Sequence, residues 1–332
     1  MNTHINLDKI KETPIFKALS RLSVLIILFI ILAFTTHNFI KASNLSTILL
    51  QVAVYAVIAY GVTFVLIVGA TDLSAGSVVG LAGIVTALLL RDYNVSPIVA
   101  ILAGLATGLL CGFINGICVT YLKIMPFIAT LGTSWIFRGF CQLIGDGQPV
   151  TIRSSTNPEA AEFLKTLGSG RIGGFPIAAI VFLVLGVVLS ILLTKTVLGR
   201  NVFATGSNEE AARLSGINVR RTTICAFMLC DVMAALGGVL ITARLSSGQI
   251  AAGTGYELEG IAAAVIGGVS LMGGEGSIAG ALIGALIMGM LRNGLNLNGI
   301  NSYWQQIVIG TILIFAVAFD LFQRRKNKQL YM

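Results

Sequence analysis

Residues Leu198–Arg221 read LGRNVFATGSNEEAARLSGINVRR, a polar interruption in a chain that is mostly apolar and glycine-rich. The stretch carries two acids and four arginines. Ser207 followed three residues later by Glu210 fits a capping box, in which each side chain satisfies a free backbone N–H of the first turn. Glu209 and Glu210 fall in that turn, where carboxylates suit the positive end of the helix dipole. Gly216 supplies a left-handed stop. The pattern predicts a helix over Asn208–Ser215, about two turns and too short to be stable alone in water. Its partner must be the rest of this chain or another protein.

The surroundings of that stretch set the class. The chain has 332 residues, of which 56% are hydrophobic and only 11% charged, with a mean hydropathy of +0.91. A soluble domain carries roughly 25% charged residues. The composition therefore predicts an all-α polytopic membrane protein. Runs near the ~20 residues needed to cross the hydrocarbon core predict about ten transmembrane helices. They are Leu22–Phe39, Ile48–Gly69, Leu73–Leu90, Pro97–Leu122, Ile124–Ile144, Phe175–Leu193, Thr222–Ala243, Leu258–Met272, Ser277–Leu295 and Tyr303–Leu321. The eighth is short and contains Gly267-Gly268. Residues 1–21 are a polar, basic N-terminal segment in which Pro14 starts a short interfacial helix. No small-residue cleavage site follows the first run, so that run is read as a span that stays. The membrane domain then covers 22–322. Its longest loop, 145–174, holds NPEAAEFLKTLGSG, which has the look of a short amphipathic helix closed by glycine. Residues 323–332 form a basic tail.

Ten spans put both termini on one side. With the N-terminus inside, the inner segments (1–21, Lys123, 195–221 and 323–332) hold 14 of the 22 lysines and arginines. The outer side holds 7, Arg292 near the end of the ninth span included, and Arg138 lies within a span. That bias predicts an N-in, C-in orientation. It makes 195–221 a cytoplasmic loop and 145–174 an external one. The formal charge of +8 is spread over short loops rather than gathered on one face, so it is not a nucleic-acid footprint.

Glycine spacing predicts how the spans pack. Gly104, Gly108, Gly112 and Gly116 recur at four-residue steps. Gly76 and Gly80 repeat the step, as do Gly276, Gly280 and Gly284. Small residues at this spacing let helix backbones touch, which matters where lipid removes the hydrophobic drive between helices. AGSVVGLAG (75–83) and EGSIAGALIG (275–284) echo one another faintly, as the two halves of a transporter do.

Chemistry-bearing residues are few. No GxxxxGK[ST] is present, so the chain has no phosphate-cradling loop of its own. The five cysteines lie in apolar runs without a CxxC pair and read as small buried hydrophobes. His4 and His37 are isolated, so no metal set is expected. Paired intramembrane carboxylates that would suggest a proton-driven pump are not evident. Asp72, in TDLSAGS, reads as a cap in which Thr71 or Asp72 satisfies the free amides of the third span, or else as a gate. Arg138 either lines a wet cavity or snorkels outward. Asp231 is a lone acid in a span and needs a partner, for which Arg138 is one candidate. Asn115 and Thr130 either bond a substrate or tie helices together. With Phe127 these residues make up the candidate pathway or gate.

The polar loop and its flanks resemble the ribose/galactose-type ABC sugar permeases. VGATDLSAGS (68–77), INGICVTYLKIMPFIATLGT (114–133), ARLSSGQIAAGTGYELEGIAAAVIGGVSLMGGEGS (243–277) and NGLNLNGINSYWQQIVIG (293–310) carry the likeness with LGRNVFATGSNEEAARLSGINV. It implies a type II-like importer bundle in the inner membrane of a bacterium, with no catalysis of its own. Two permease copies, a homodimer, would form the pathway. A tandem-domain ATPase holding ATP and Mg would dock below, and an extracytoplasmic sugar-binding protein above. Ser207, Asn208, Glu209, Glu210, Ala211, Ala212, Arg213 and Gly216 then match the helix that couples to the ATPase. Two departures stand out. The family often has a small residue where Asp231 stands, and often GGNEEA where this chain has GSNEEA. ARLSSGQ and AGTGYELEGIAAAVIGG look closest to ribose permeases, which makes ribose the first choice among monosaccharides. The alternative is a stand-alone secondary carrier or channel for a small polar solute, which leaves the capped helix without a purpose.

Overall fold

The computed structural model describes residues 14–152 and 158–330. Lys9 and Lys11 of the N-terminal segment, Arg153 of the long loop and the last two residues of the tail lie outside the described residues. Helices α1 (Pro14–Thr35), α2 (Ala42–Val68), α3 (Ala75–Asp92), α4 (Pro97–Thr120) and α5 (Pro126–Ile144) come first. Strand β1 (Val150–Thr151), α6 (Pro158–Ser169), β2 (Arg171–Ile172), β3 (Phe175–Pro176) and α7 (Ile177–Lys195) follow. The polar interruption contains α8 (Val197–Ser207) and α9 (Glu209–Leu214). Then come α10 (Val219–Leu245), β4 (Ser247–Gly248), α11 (Tyr256–Ile266), α12 (Ile278–Leu297) and α13 (Ser302–Leu330).

Among the described residues, seven helices are long and apolar enough to cross a membrane: α2, α3, α4, α5, α7, α10 and α12. The other three expected spans fall on α1, on the eleven-residue α11 and on α13. Proline opens α4 and α5 at a position where the missing N–H has no helical partner to lose. Gly69, at φ +90°, closes α2 in the left-handed conformation glycine adopts at no steric cost.

Helix α10 is the axis of the bundle. It packs against α4, α2 and α3, and small residues make that possible. Gly108, Gly112 and Gly116 of the stripe form the α4–α10 seam, while Gly104 meets Thr86 and Ala82 of α3 first and Val239 of α10 after them. A Cβ at Gly108 would strike the Asp231 carbonyl, and one at Gly112 the Phe227 carbonyl. A Cβ at Gly116 would come within 2.8 Å of Ile224 Cα. The order of these contacts runs α4 antiparallel to α10. Gly280 and Gly284 seat α12 against Gly267 and Ala263. Gly276 does not belong to that stripe. It precedes the helix, because Ser277 caps α12 by accepting the Gly280 N–H at 3.0 Å. Gly76 and Gly80 also differ from expectation. They face the irregular 249–255 segment together with Glu257 at the start of α11 and the Arg138 and Cys141 side chains of α5.

Two links between helices carry unwound backbone that packs inside the bundle. Residues 69–74 run unwound from the end of α2 to the start of α3, which lies beside the middle of α10: Val79 packs on Gly238, and Gly83 on Thr242. Residues 249–255 run the other way, from β4 to the start of α11. The two helix starts meet where Gly76 touches Gly253 and Glu257. The sequence places a turn at 70–72 and a polar link at 244–257, and both are non-helical as expected, but neither reading puts them inside the bundle. Unwound backbone at such depth needs protein partners for its polar groups.

The long loop is folded rather than extended. Strand β1 pairs antiparallel with β4, Val150 opposite Gly248, and α6 buries Ala160, Leu164 and Gly168 with Gly168 tight against Ala243 of α10.

Candidate functional site

Two places combine polar side chains with an unusual backbone. The first is the interruption that opened the sequence reading. Its first half is helical: Thr196 caps α8 by accepting the Gly199 N–H at 3.2 Å, and Gly199, Val202 and Thr205 are buried against the bundle. Ser207 therefore ends α8 and does not start the next helix. The cap of α9 is Asn208, whose Oδ1 accepts the Ala211 N–H at 3.0 Å. The expected capping box through Ser207 and Glu210 is replaced by this one, because Asn208 is the residue with extended backbone and an Ncap residue needs that conformation. Glu210 instead accepts from Arg213 Nη2 at 2.7 Å. The stop is as expected. Gly216, at φ +83°, donates to the Arg213 carbonyl and Ile217 to that of Ala212, the paired bonds of a Schellman close.

Helix α9 is held at its ends and bare on its outer side. Ala212 alone of its six residues is buried, and Leu214 is 81% exposed. Below it, Gly206 is packed so tightly that a Cβ would collide with the Ile67 carbonyl, and Gly274 donates to that same carbonyl at 2.8 Å. The start of α9 thus rests on the ends of α2 and of the 270–276 turn.

The second place is the middle of the bundle. Asp72, Asn115 and Asp231 are fully buried and belong to one network. Ser74 donates its N–H and its hydroxyl to Asp72 Oδ1 at 2.8 and 2.7 Å. Asn115 Nδ2 donates to Ser74 Oγ at 2.7 Å and to Asp231 Oδ2 at 2.9 Å, and Thr133 donates to Asn115 Oδ1 at 2.5 Å. The two carboxyl groups face one another, and Asp72 Oδ2 and Asp231 Oδ1 are buried without a hydrogen-bond donor among the described residues. The hydrogen-bond partner of Asp231 is thus Asn115, with Asp72 beside it, and not Arg138. Cys230 Sγ lies in the same cluster, its ligand atom and those of the two acids within 4.8 Å of one another. The network welds the unwound 69–74 segment to α4, α5 and α10. Thr130 adds to it, donating to the Thr71 carbonyl at 3.3 Å as well as to Pro126 at 2.8 Å.

Arg138 answers a different need. Its Nη1 donates to the carbonyls of Ile250 at 2.5 Å and Ala252 at 2.9 Å, and Nη2 to Gly76 at 3.1 Å. These carbonyls lie in or beside the unwound stretches, and a planar guanidinium can bond several at once. Phe127 is not part of the cluster: it is 55% exposed on the first turn of α5. Sequence reasoning missed a further intramembrane pair. Arg292 of α12 donates Nη2 to Glu259 of α11 and Nη1 to the Tyr55 hydroxyl of α2 at 3.0 Å. A lone acid and a lone base at membrane depth in different spans were the available signal.

A bundle of seven helices long and apolar enough to cross a membrane, among the described residues, with unwound links packed inside it and a capped helix bared at one end, fits a polytopic membrane permease. The chain belongs to the family described as branched-chain amino acid transport system / permease component, whose model matches residues 44–317. It is 42% identical to the ribose import permease protein RbsC of Bacillus subtilis over 89% of this chain and 90% of that one. The identity is the same to the RbsC protein of Escherichia coli K12, over 90% and 92%. To the galactose/methyl galactoside import permease protein MglC of Haemophilus influenzae it is 38%, over 97% and 99%. The likeness read from the motifs to ribose/galactose-type sugar permeases holds along nearly the whole chain. No solved structure matches.

Proposed function

We propose that this chain is the membrane subunit of an ATP-driven importer that carries a monosaccharide, ribose first, across the bacterial inner membrane. It binds no nucleotide. ATP and Mg belong to a tandem-domain ATPase on the cytoplasmic side, and an extracytoplasmic binding protein delivers the sugar. Two copies enclose the pathway in a type II-like bundle of ten spans each, with both termini in the cytoplasm. Glu209–Leu214, capped by Asn208, is the helix that enters the ATPase. The observation that carries the reading is the bare outer side of α9. A six-residue helix is fixed at both ends, yet turns Leu214 outward beside the exposed Glu210–Arg213 pair. An apolar side chain left in water on so small an element is explained by an absent partner, and helix-in-groove docking is the matching mode. The relatives' names, ribose and galactose import permeases, support the substrate class.

The test is co-purification and transport. Native membranes should yield this chain with an ATPase, and vesicles containing both should take up ribose only with ATP and a loaded binding protein. Uptake driven by an ion gradient in ATP-depleted vesicles would identify a stand-alone carrier instead.

A further inference from the structure

A cleft of about 480 Å³ opens beside Arg138, within the range of about 300–1,000 Å³ usual for small-molecule sites. Its walls include Arg138, Gln142, Pro149, Gln249, Ala251 and Thr254. It lies at the end of α10 opposite α9, next to β1 and β4, and reaches down to the carbonyls that Arg138 holds.

The chemistry of the walls selects a ligand. Gln249 spends its amide N–H on Ser247 Oγ at 3.0 Å and keeps its carbonyl oxygen. Thr254 donates its hydroxyl to the Ala251 carbonyl at 2.9 Å and keeps its lone pairs. The Gln142 amide has no hydrogen-bond partner among the described residues, so it offers both a donor and an acceptor. Donors and acceptors in alternation suit a ring of hydroxyl groups. Charge argues the same way. The guanidinium of Arg138 would repel a cation and is already engaged by three carbonyls. In broken-helix transporters the half-helix N-termini can grip an anionic group of the substrate. Here the start of α3 has Asp72 bound to the Ser74 N–H, and the start of α11 has Glu257 in its first turn and against Gly76. Both positive helix ends have the chain's own carboxylates, so the site has no use for an anion. An open cleft without an aromatic wall holds its ligand weakly, as a transit site must.

We infer that this cleft is a receiving subsite for one neutral monosaccharide, with Gln142, Gln249 and Thr254 reading its hydroxyl groups. The inference rests on the permease reading above and adds the place where the sugar enters. The experiment uses the reconstituted complex of permease, ATPase and binding protein. Gln142→Cys is labelled with a membrane-impermeant thiol reagent, with and without millimolar ribose or, in a parallel arm, galactose, and the unsubstituted chain supplies the background. Gln142 is exposed, so the substitution does not disturb the core. The sugar that the unmutated complex carries should slow labelling. In Gln249→Ala the sugar carried per ATP hydrolysed should fall at least about fivefold, the effect of one lost hydrogen bond. Labelling unaffected by a sugar that the unmutated complex transports would overturn the subsite and leave the permease standing. A complex that carries neither sugar would overturn the permease reading, and the subsite with it.

Discussion

Asp231 stands near the middle of α10, fully buried, and its companion is another acid. Asn115 and Ser74 link it to Asp72, donating to one oxygen of each acid. The arrangement makes a discriminating prediction. Asp231→Asn keeps an acceptor for Asn115 and puts a permanent N–H toward Asp72, so the folded protein and its uptake should survive. Asp231→Leu leaves a buried carboxyl without its partner, a loss of about 3 kcal/mol. Thermal unfolding in detergent should rank the two well apart; equal midpoints would mean that the acid pair is idle. Arg138 sets a parallel case. Arg138→Met strands three carbonyls at roughly 1–3 kcal/mol each, and the expected result is loss of folded protein from the membrane fraction. A normal steady-state level would contradict the clamp. Neither partnership could be read from the sequence. Asp72 and Asp231 lie 159 positions apart (231 minus 72), and the expected pair, Arg138 with Asp231, rested only on depth. Charge complementarity is a good guide where groups are solvated, and a poor one where an amide or a carbonyl can do the same work.

At the scale of elements, the glycine stripe of α4 was legible because small residues at four-residue steps have one physical use in a membrane helix. Gly112→Leu should separate α4 from α10, since even a methyl group there meets the Phe227 carbonyl. The expected signature is degradation of the chain, and normal accumulation would refute the seam. Helix α9 was legible in place but not in detail. Its acids, its glycine stop and its length were as expected. The residues before it form α8, which a hydropathy reading treats as loop because a helix packed on the bundle by only Gly199, Val202 and Thr205 leaves a weak pattern. The Glu210–Arg213 pair allows a clean test of docking. Both side chains are about two-thirds exposed, so the pair adds little to stability, roughly 0–1 kcal/mol. Glu210→Lys with Arg213→Glu keeps an i,i+3 pair on the helix while inverting the charges that a partner meets. The permease should accumulate normally and lose the ATPase from a pull-down; retention of the ATPase would place its contact elsewhere.

At the scale of the molecule, α10 separates the two candidate sites. Its 27 residues span about 40 Å at 1.5 Å per residue, enough to cross the bilayer and to put α9 and the Arg138 cleft on opposite sides. The long apolar helices were readable from composition alone. The links 69–74 and 249–255 were readable as non-helical but not as buried neighbours, because nothing in their residues says which other segment each packs on. Whether the pathway is built as proposed depends on which end faces the cytoplasm. The argument there is the twofold excess of lysine and arginine on one set of loops, which biases insertion without reference to the folded state. The geometry adds a constraint independent of charge: Lys165 of α6 and Arg213 of α9 sit on elements packed near opposite ends of α10, and both are exposed. Single substitutions Lys165→Cys and Arg213→Cys can therefore be compared with one impermeant thiol reagent. In intact spheroplasts Lys165→Cys should label and Arg213→Cys should not, and permeabilisation should bring the second up to the first. The reverse order would turn the chain over and take α9 out of reach of any cytoplasmic ATPase. Labelling of both from outside would mean that α10 does not cross at all.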